Sequence, residues 1–185
     1  MTVANLITIL RFILVPCVVL ALLSGRIDLA FAGFLAAGLS DAVDGLAARL
    51  LNQRTELGAY LDPMADKPLL VSVFVVLGYM GELPLWLVIA AVARDALIVA
   101  AVMLSTIMGK PVEVKPLYIS KVNTAVQIVL AALVLAELTF EYDLMWSREA
   151  LIVACGVLTG ASAAAYLVPW LRHMAANGEN ATSGR

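Results

Sequence analysis

Long apolar runs separated by short polar breaks dominate the sequence. Six runs stand out, about Leu6–Leu23, Ile27–Leu51, Glu56–Met80, Leu85–Met108, Leu117–Phe140 and Ser147–Met174. Each is near the roughly 20 residues that an α-helix needs to cross a bilayer. The breaks carry turn and helix-stopping residues: Ser24-Gly25-Arg26, Asn52-Gln53-Arg54-Thr55, Gly81-Glu82-Leu83-Pro84, the Gly109–Pro116 linker and the acidic Glu141-Tyr142-Asp143. The pattern predicts an all-α integral membrane protein, a bundle of six transmembrane helices forming one domain over Met1–Met174. A small polar, disordered tail is expected over Ala175–Arg185.

Composition strengthens that reading. The chain of 185 residues is 63% hydrophobic and 14% charged, with a mean hydropathy of +0.97. Soluble domains average about 45–50% apolar and about 25% charged. A net charge of -2 gives no reason to expect a nucleic-acid partner. The apolar start is interrupted by Arg11 and is followed by no A-x-A-like cleavage site, so it reads as a retained span. Cys17 and Cys155 sit inside apolar runs and suggest neither a disulfide framework nor zinc.

Charge also sets orientation. With six spans, both termini share a side with Arg11, Arg49, Arg54, Lys67, Lys110, Lys115, Lys121, Arg172 and Arg185, whereas the other side holds Arg26 and Arg148. Lysine and arginine collect on the cytoplasmic side of membrane proteins, so cytoplasmic termini are predicted.

Four aspartates break the apolar pattern. Asp41 and Asp44 lie near the end of the second run, and Asp62 and Asp66 near the start of the third. Spacings of three and four put each pair on one helix face, and the short polar turn makes the two helices antiparallel neighbours. The four carboxylates can then converge on one small volume at the cytoplasmic rim. They suppress one another's ionisation unless counter-charge is present. An all-oxygen donor set favours Mg²⁺ or Mn²⁺, and two such ions suit phosphoryl transfer. An ion-coupled transporter is the rival from another class, because intramembrane acids often mark ion pathways. A pathway would spread its acids through the membrane depth, and these collect at one face. Gly45, Ala48 and Gly58 keep the helix surfaces smooth beside the acids, and Arg49 offers a planar fork for phosphate. Close helix packing is the competing explanation for the small residues.

The run Asp41-x2-Asp44-Gly45-x2-Ala48-Arg49-x8-Gly58-x3-Asp62-x3-Asp66 resembles, without departure, the signature of the CDP-alcohol phosphatidyltransferases. The resemblance implies transfer of a phosphatidyl group from a CDP-linked lipid to an alcohol, with release of CMP. It implies Asp41, Asp44 and Asp62 as metal ligands, with Asp66 near the metals and acting as general base. Asp44, Gly45, Ala48, Arg49 and Gly58 would line the CDP pocket, and a homodimer would be usual. Asn5-x2-Thr8-x2-Arg11 is similar to the family's N-terminal pattern, with Ala4 where a proline is usual, and would lie at the cytoplasmic mouth.

The acceptor alcohol must be read elsewhere. Ile119–Gln127 with Lys115-Pro116, and Arg94-Asp95 in the fourth run, resemble segments of the CDP-diacylglycerol-dependent cardiolipin synthases. Phosphatidylglycerol is therefore the expected acceptor and cardiolipin the expected product. Lys121-x2-Thr124-x2-Gln127 also fits the phosphatidylglycerophosphate synthases, which keeps glycerol 3-phosphate as the alternative. Asn5, Thr8, Arg11, Arg94 and Lys121 are the candidate acceptor- or phosphate-binding residues. An ion pair or interhelix bonding is the competing role for Arg94 and Asp95. A bacterial inner membrane, with the active site facing the cytoplasm, is the expected location.

Overall fold

The computed structural model describes the backbone of residues 3–50, 56–107 and 118–182, and the side chains of 13–40, 68–101, 103 and 118–168. Six helices follow one another: α1 (Val3–Leu23), α2 (Ile27–Leu50), α3 (Glu56–Tyr79), α4 (Leu85–Ile107), α5 (Tyr118–Phe140) and α6 (Met145–Thr182). There is no strand among the described residues. The expected runs and the observed helices agree to within a few residues except at the end of α6. That helix continues past Met174, where composition placed the start of a polar tail. Ala175, Ala176, Glu179 and Ala181 favour helix, against Gly178 and the weaker formers Asn177 and Asn180.

Two helices are long and apolar enough to cross a membrane, Tyr118–Phe140 and Met145–Val168. Only 33% and 17% of their most apolar windows is buried within the chain. A core helix of a water-soluble domain would hide most of that surface, so an apolar medium is the natural covering. Shorter apolar helical stretches occur at Ile13–Leu23, Ile27–Ser40 and Pro68–Tyr79.

Two of the breaks have the same construction. After α1, Gly25 has φ 71°, its N–H donates to Leu22 O at 3.1 Å, and Arg26 N–H donates to Ala21 O at 2.8 Å. After α3, Gly81 has φ 82°, and its N–H and that of Glu82 donate to Gly78 O and Leu77 O at 3.2 and 2.9 Å. Both are Schellman caps, which need a left-handed residue and so favour glycine. The break after α5 lacks a glycine, and Glu141 takes φ 54°, at a cost of about 1 kcal/mol. Asp143 then starts α6, its Oδ1 accepting from Met145 N–H at 3.1 Å.

The chain divides into two compact units. The first is Met1–Leu85 with Ile128–Arg148, and the second is Trp86–Gln127 with Glu149–Arg185. In the first, α1 packs on α2 and α3. Among the described residues its buried side chains are mostly apolar, including Val18, Leu22, Phe34, Phe74, Leu77 and Leu135. One end is tied by Arg148, which bonds the Glu82 carbonyl and Oε2 and, at 3.5 Å, Glu137 Oε2. Glu137 Oε1 accepts from Leu144 N–H at 3.1 Å. Phe140 stands edge-on to Phe31 at 5.8 Å and stacks on Tyr142 at 6.1 Å.

The second unit contains most of α4, the first part of α5 and α6 from Glu149. Gly156 lies against the Trp86 indole: a Cβ there would sit 2.7 Å from Cη2 and 2.9 Å from Cζ3. Gly160, one turn on, has nothing within 4 Å of the same position. The Gly156-x3-Gly160 pair therefore makes one close approach, and its partner is an aromatic ring of α4.

Candidate functional site

The signature residues fall on two helix ends. Asp41, Asp44, Gly45, Ala48 and Arg49 lie in the last turns of α2, and Gly58, Asp62 and Asp66 lie in the first turns of α3. Asn5, Thr8 and Arg11 lie in the first turns of α1. Their side chains, and the turn that includes Arg54, are outside the described residues, as are those of Arg172 and His173. Register is therefore what the fold contributes here: both aspartate pairs occupy helical positions one turn apart. Ser40, just before the motif, turns its hydroxyl back onto the Ala36 carbonyl at 2.7 Å, and so is spoken for by its own helix. Among the described residues no group of three or more His, Cys, Asp or Glu comes together, and the four aspartates are not in that set.

Two of the acceptor candidates, Arg94 and Lys121, are described with their side chains, and both lie in the second unit. Arg94 is 2% exposed. Its Nε and Nη2 donate to Ser162 Oγ at 3.2 and 2.6 Å, and Nη2 also reaches Ser120 Oγ at 2.5 Å. Nη1 pairs with Asp95 Oδ1 at 2.6 Å. Arg94 thus makes both the ion pair and the interhelix bonds that its position in an apolar run suggested. Through Ser120 it bonds the residue before Lys121. Lys121 itself is exposed.

The polar contacts continue one turn further along. Thr159 Oγ1 donates to Asn123 Oδ1 at 3.0 Å, with both residues fully or almost fully buried. Gln127 follows on α5, 4% exposed. The amide nitrogens of Asn123 and Gln127 have no protein partner among the described residues. Arg94, Leu97, Ile98 and Ala101 of α4 face Ala163, Tyr166 and Leu167 of α6 across a shallow groove. Sequence reasoning did not single out Ser120, Thr159 and Ser162. The usable signal was spacing: Ser120, Asn123 and Gln127 fall at i, i+3 and i+7 on α5, and Thr159 and Ser162 at i and i+3 on α6. In an apolar helix such a stripe marks the face turned to other helices.

What this arrangement can do chemically falls into two parts. The α2 and α3 ends offer a donor set of carboxylate oxygens at helical spacing, which suits hard divalent cations by chemistry. The second unit offers a fixed guanidinium and an exposed ammonium near the start of α5.

Comparison with known proteins bears on both parts. The chain is 34% identical to the cardiolipin synthase (CMP-forming) of Rattus norvegicus, over 89% of this chain and 60% of that protein. The values for the cardiolipin synthase (CMP-forming) of Homo sapiens are the same. A probable phosphatidylglycerophosphate synthase of Mycobacterium tuberculosis is 39% identical over 50% of this chain and 47% of its own length. The chain spans about 60% of the length of the two cardiolipin synthases. The family model for CDP-alcohol phosphatidyltransferase matches residues 1–167, which takes in the signature, Arg94 and Lys121 alike. A match of that extent leaves one conclusion: the chain belongs to the CDP-alcohol phosphatidyltransferase family.

Proposed function

We propose that the chain transfers the phosphatidyl group of CDP-diacylglycerol to an alcohol with release of CMP, and that the alcohol is phosphatidylglycerol, giving cardiolipin. The carrying observation is the complete signature from Asp41 to Asp66, which runs from the end of α2 into the start of α3. The similarity to two cardiolipin synthases across 89% of the chain supports the choice of acceptor. Glycerol 3-phosphate is the second reading, supported by the similarity to the mycobacterial protein.

In this reading all six helices span the membrane, with both termini and the signature on the cytoplasmic side of a bacterial inner membrane. The molecule works as a homodimer. Asp41, Asp44 and Asp62, with Asp66 beside them, would hold Mg²⁺ or Mn²⁺ as a pair, because four carboxylates suit two ions. Such ions supply charge stabilisation at the phosphate oxygens. Gly45, Ala48, Arg49 and Gly58 hold the CDP moiety, and Asn5, Thr8 and Arg11 line the mouth. Asp66 takes the proton of the acceptor hydroxyl. The hydroxyl oxygen forms its bond to the phosphorus bearing diacylglycerol as the bond to CMP breaks. Arg94 and Lys121 serve the acceptor's anionic group.

Purified protein supplied with Mg²⁺ or Mn²⁺, CDP-diacylglycerol and each acceptor in turn tests the reading, scored by CMP release and lipid product. Cardiolipin formation from phosphatidylglycerol, abolished by chelation and by Asp62→Ala, is expected. No CMP release with any alcohol would remove the transferase reading. Product from glycerol 3-phosphate alone would exchange the two acceptors.

A further inference from the structure

We infer that Arg94 acts on the acceptor indirectly, as a positioning residue that fixes the start of α5 and so the place of Lys121; this rests on the transferase reading above. Arginine has five N–H donors. In the second unit Arg94 directs four hydrogen bonds to protein oxygens, two to Ser162, one to Ser120 and one to Asp95. Asp95 already balances its charge at 2.6 Å. An incoming phosphate would meet a guanidinium that is buried, bonded and flanked by a carboxylate, and would have to overcome the repulsion of that carboxylate.

Lys121 is placed differently. It follows Ser120 directly and is exposed, so its ammonium is open to an anion. Consecutive helical residues diverge by about 100°. When Ser120 faces α4 and α6, Lys121 is therefore turned away from them in a fixed direction. The first turn of α5 is held at two groups of one residue. Ser120 Oγ takes Arg94 Nη2 at 2.5 Å, and Ser120 O takes Thr124 Oγ1 at 3.1 Å. One turn later, the 3.0 Å bond from Thr159 to Asn123 ties α5 to α6 a second time. Two ties a turn apart fix both the height and the rotation of this helix start, and with them the direction of Lys121.

The experiment is a kinetic double-mutant cycle on the full chain with CDP-diacylglycerol, Mg²⁺ and either phosphatidylglycerol or glycerol 3-phosphate. It is paired with hydrogen exchange of the α5 amides. Lys121→Gln is expected to raise acceptor KM. Arg94→Lys keeps the charge but loses the fork, and should raise acceptor KM about tenfold. KM for CDP-diacylglycerol should stay within about twofold. On the Lys121→Gln background, Arg94→Lys should add nothing. Exchange at Ser120–Thr124 should accelerate in Arg94→Lys and, more weakly, in Ser120→Ala, which removes one bond and carries the test if Arg94→Lys does not fold. Multiplicative KM effects would mean that Arg94 meets the acceptor itself, and overturn the inference. Equal loss of kcat with both substrates would reduce Arg94 to a stabilising role and also overturn it. Unchanged exchange in an active protein overturns this inference alone, whereas no CMP release by the unmodified protein overturns the transferase reading and this inference with it.

Discussion

In the first unit the buried side chains are almost all apolar, from Val18 and Leu22 to Phe74, Leu77 and Leu135, and Glu137 is the buried charged residue among those described. In the second unit Arg94, Asn123, Gln127, Thr159 and Ser162 are buried as deeply as Leu87, Val88 and Cys155. The difference matters in lipid. Burying leucine against leucine gains little when the surroundings are equally apolar, so helices there associate through close packing and hydrogen bonds. Among the described residues the first unit relies on fit, with the ion cluster of Arg148, Glu82 and Glu137 at one end. The second spends its interior on directional bonds, which specify rotation and height as well as proximity. That suits a region whose proposed task is to present Lys121, while the signature on α2 and α3 sits in the unit built by apolar fit.

The largest expected effect separates chemistry from architecture. Asp66→Asn removes the proposed proton acceptor and should lower turnover by about 10²–10⁴-fold, the range for general-base catalysis. Binding of CDP-diacylglycerol and the thermal unfolding midpoint should stay near their starting values. CMP release, lipid binding and a melting curve on the same preparation check all three. Full activity in this variant would remove Asp66 as the base, and the division of labour between the units would lose its first half.

Arg94→Leu tests the second half. It leaves Asp95 without its guanidinium and the hydroxyls of Ser120 and Ser162 without their donor. With Asp95 only part-buried, the expected loss is about 1–3 kcal/mol, that of leaving buried polar groups unmet, measured by reversible unfolding in mixed detergent. A loss below about 1 kcal/mol would show that the polar interior is not what holds this unit together.

How much of this could be read from the chain differs between its parts. The helices were legible because apolar runs of membrane length end at residues such as Gly25 and Gly81, whose positive φ a cap requires. The signature was legible as a pattern, since helical spacing alone puts Asp41 beside Asp44 and Asp62 beside Asp66. The network around Arg94 was not. Serine and threonine in apolar helices commonly bond their own backbone one turn back, as Ser40 and Thr139 do here. Ser120, Thr159 and Ser162 look the same in sequence and instead reach other helices. Only their register with Asn123 and Gln127 separates the two cases. A Gly-x3-Gly spacing such as Gly156 and Gly160 suits close packing, but a glycine does not say what packs on it, and Trp86 lies far off in the chain.

That glycine gives the next smaller effect. Gly156→Ala drives a methyl group to within 2.7 Å of the Trp86 ring. Overpacking of this kind costs about 1–3 kcal/mol. Gly160→Ala meets nothing within 4 Å and should stay within about 0.5 kcal/mol. Trp86→Leu should recover part of the Gly156→Ala loss, and unfolding measurements on the three variants and the double variant check it. Equal costs at Gly156 and Gly160 would mean that apolar fit plays no special part in the second unit, and would sharpen the contrast with the first.

The smallest expected effect probes one bond of the polar interior. Thr159→Val keeps the shape of the side chain and removes the donor that reaches Asn123 Oδ1 at 3.0 Å. Hydrogen bonds between membrane helices average about 0.6 kcal/mol in mutational cycles. Leaving a buried acceptor unmet raises the cost to about 1–3 kcal/mol when nothing else can reach it. Asn123 is fully buried, yet its amide can rotate by half a turn and exchange its two ends. A loss near the lower figure is therefore expected for Thr159→Val alone. Asn123→Leu with Thr159→Val removes both partners and should fall close to neutral for stability, because no polar group is then stranded. In this double variant the second tie between α5 and α6 is gone while the tie at Arg94 remains. Acceptor KM should then rise even though unfolding hardly changes, and that split between function and stability is what a positioning role for the polar interior requires.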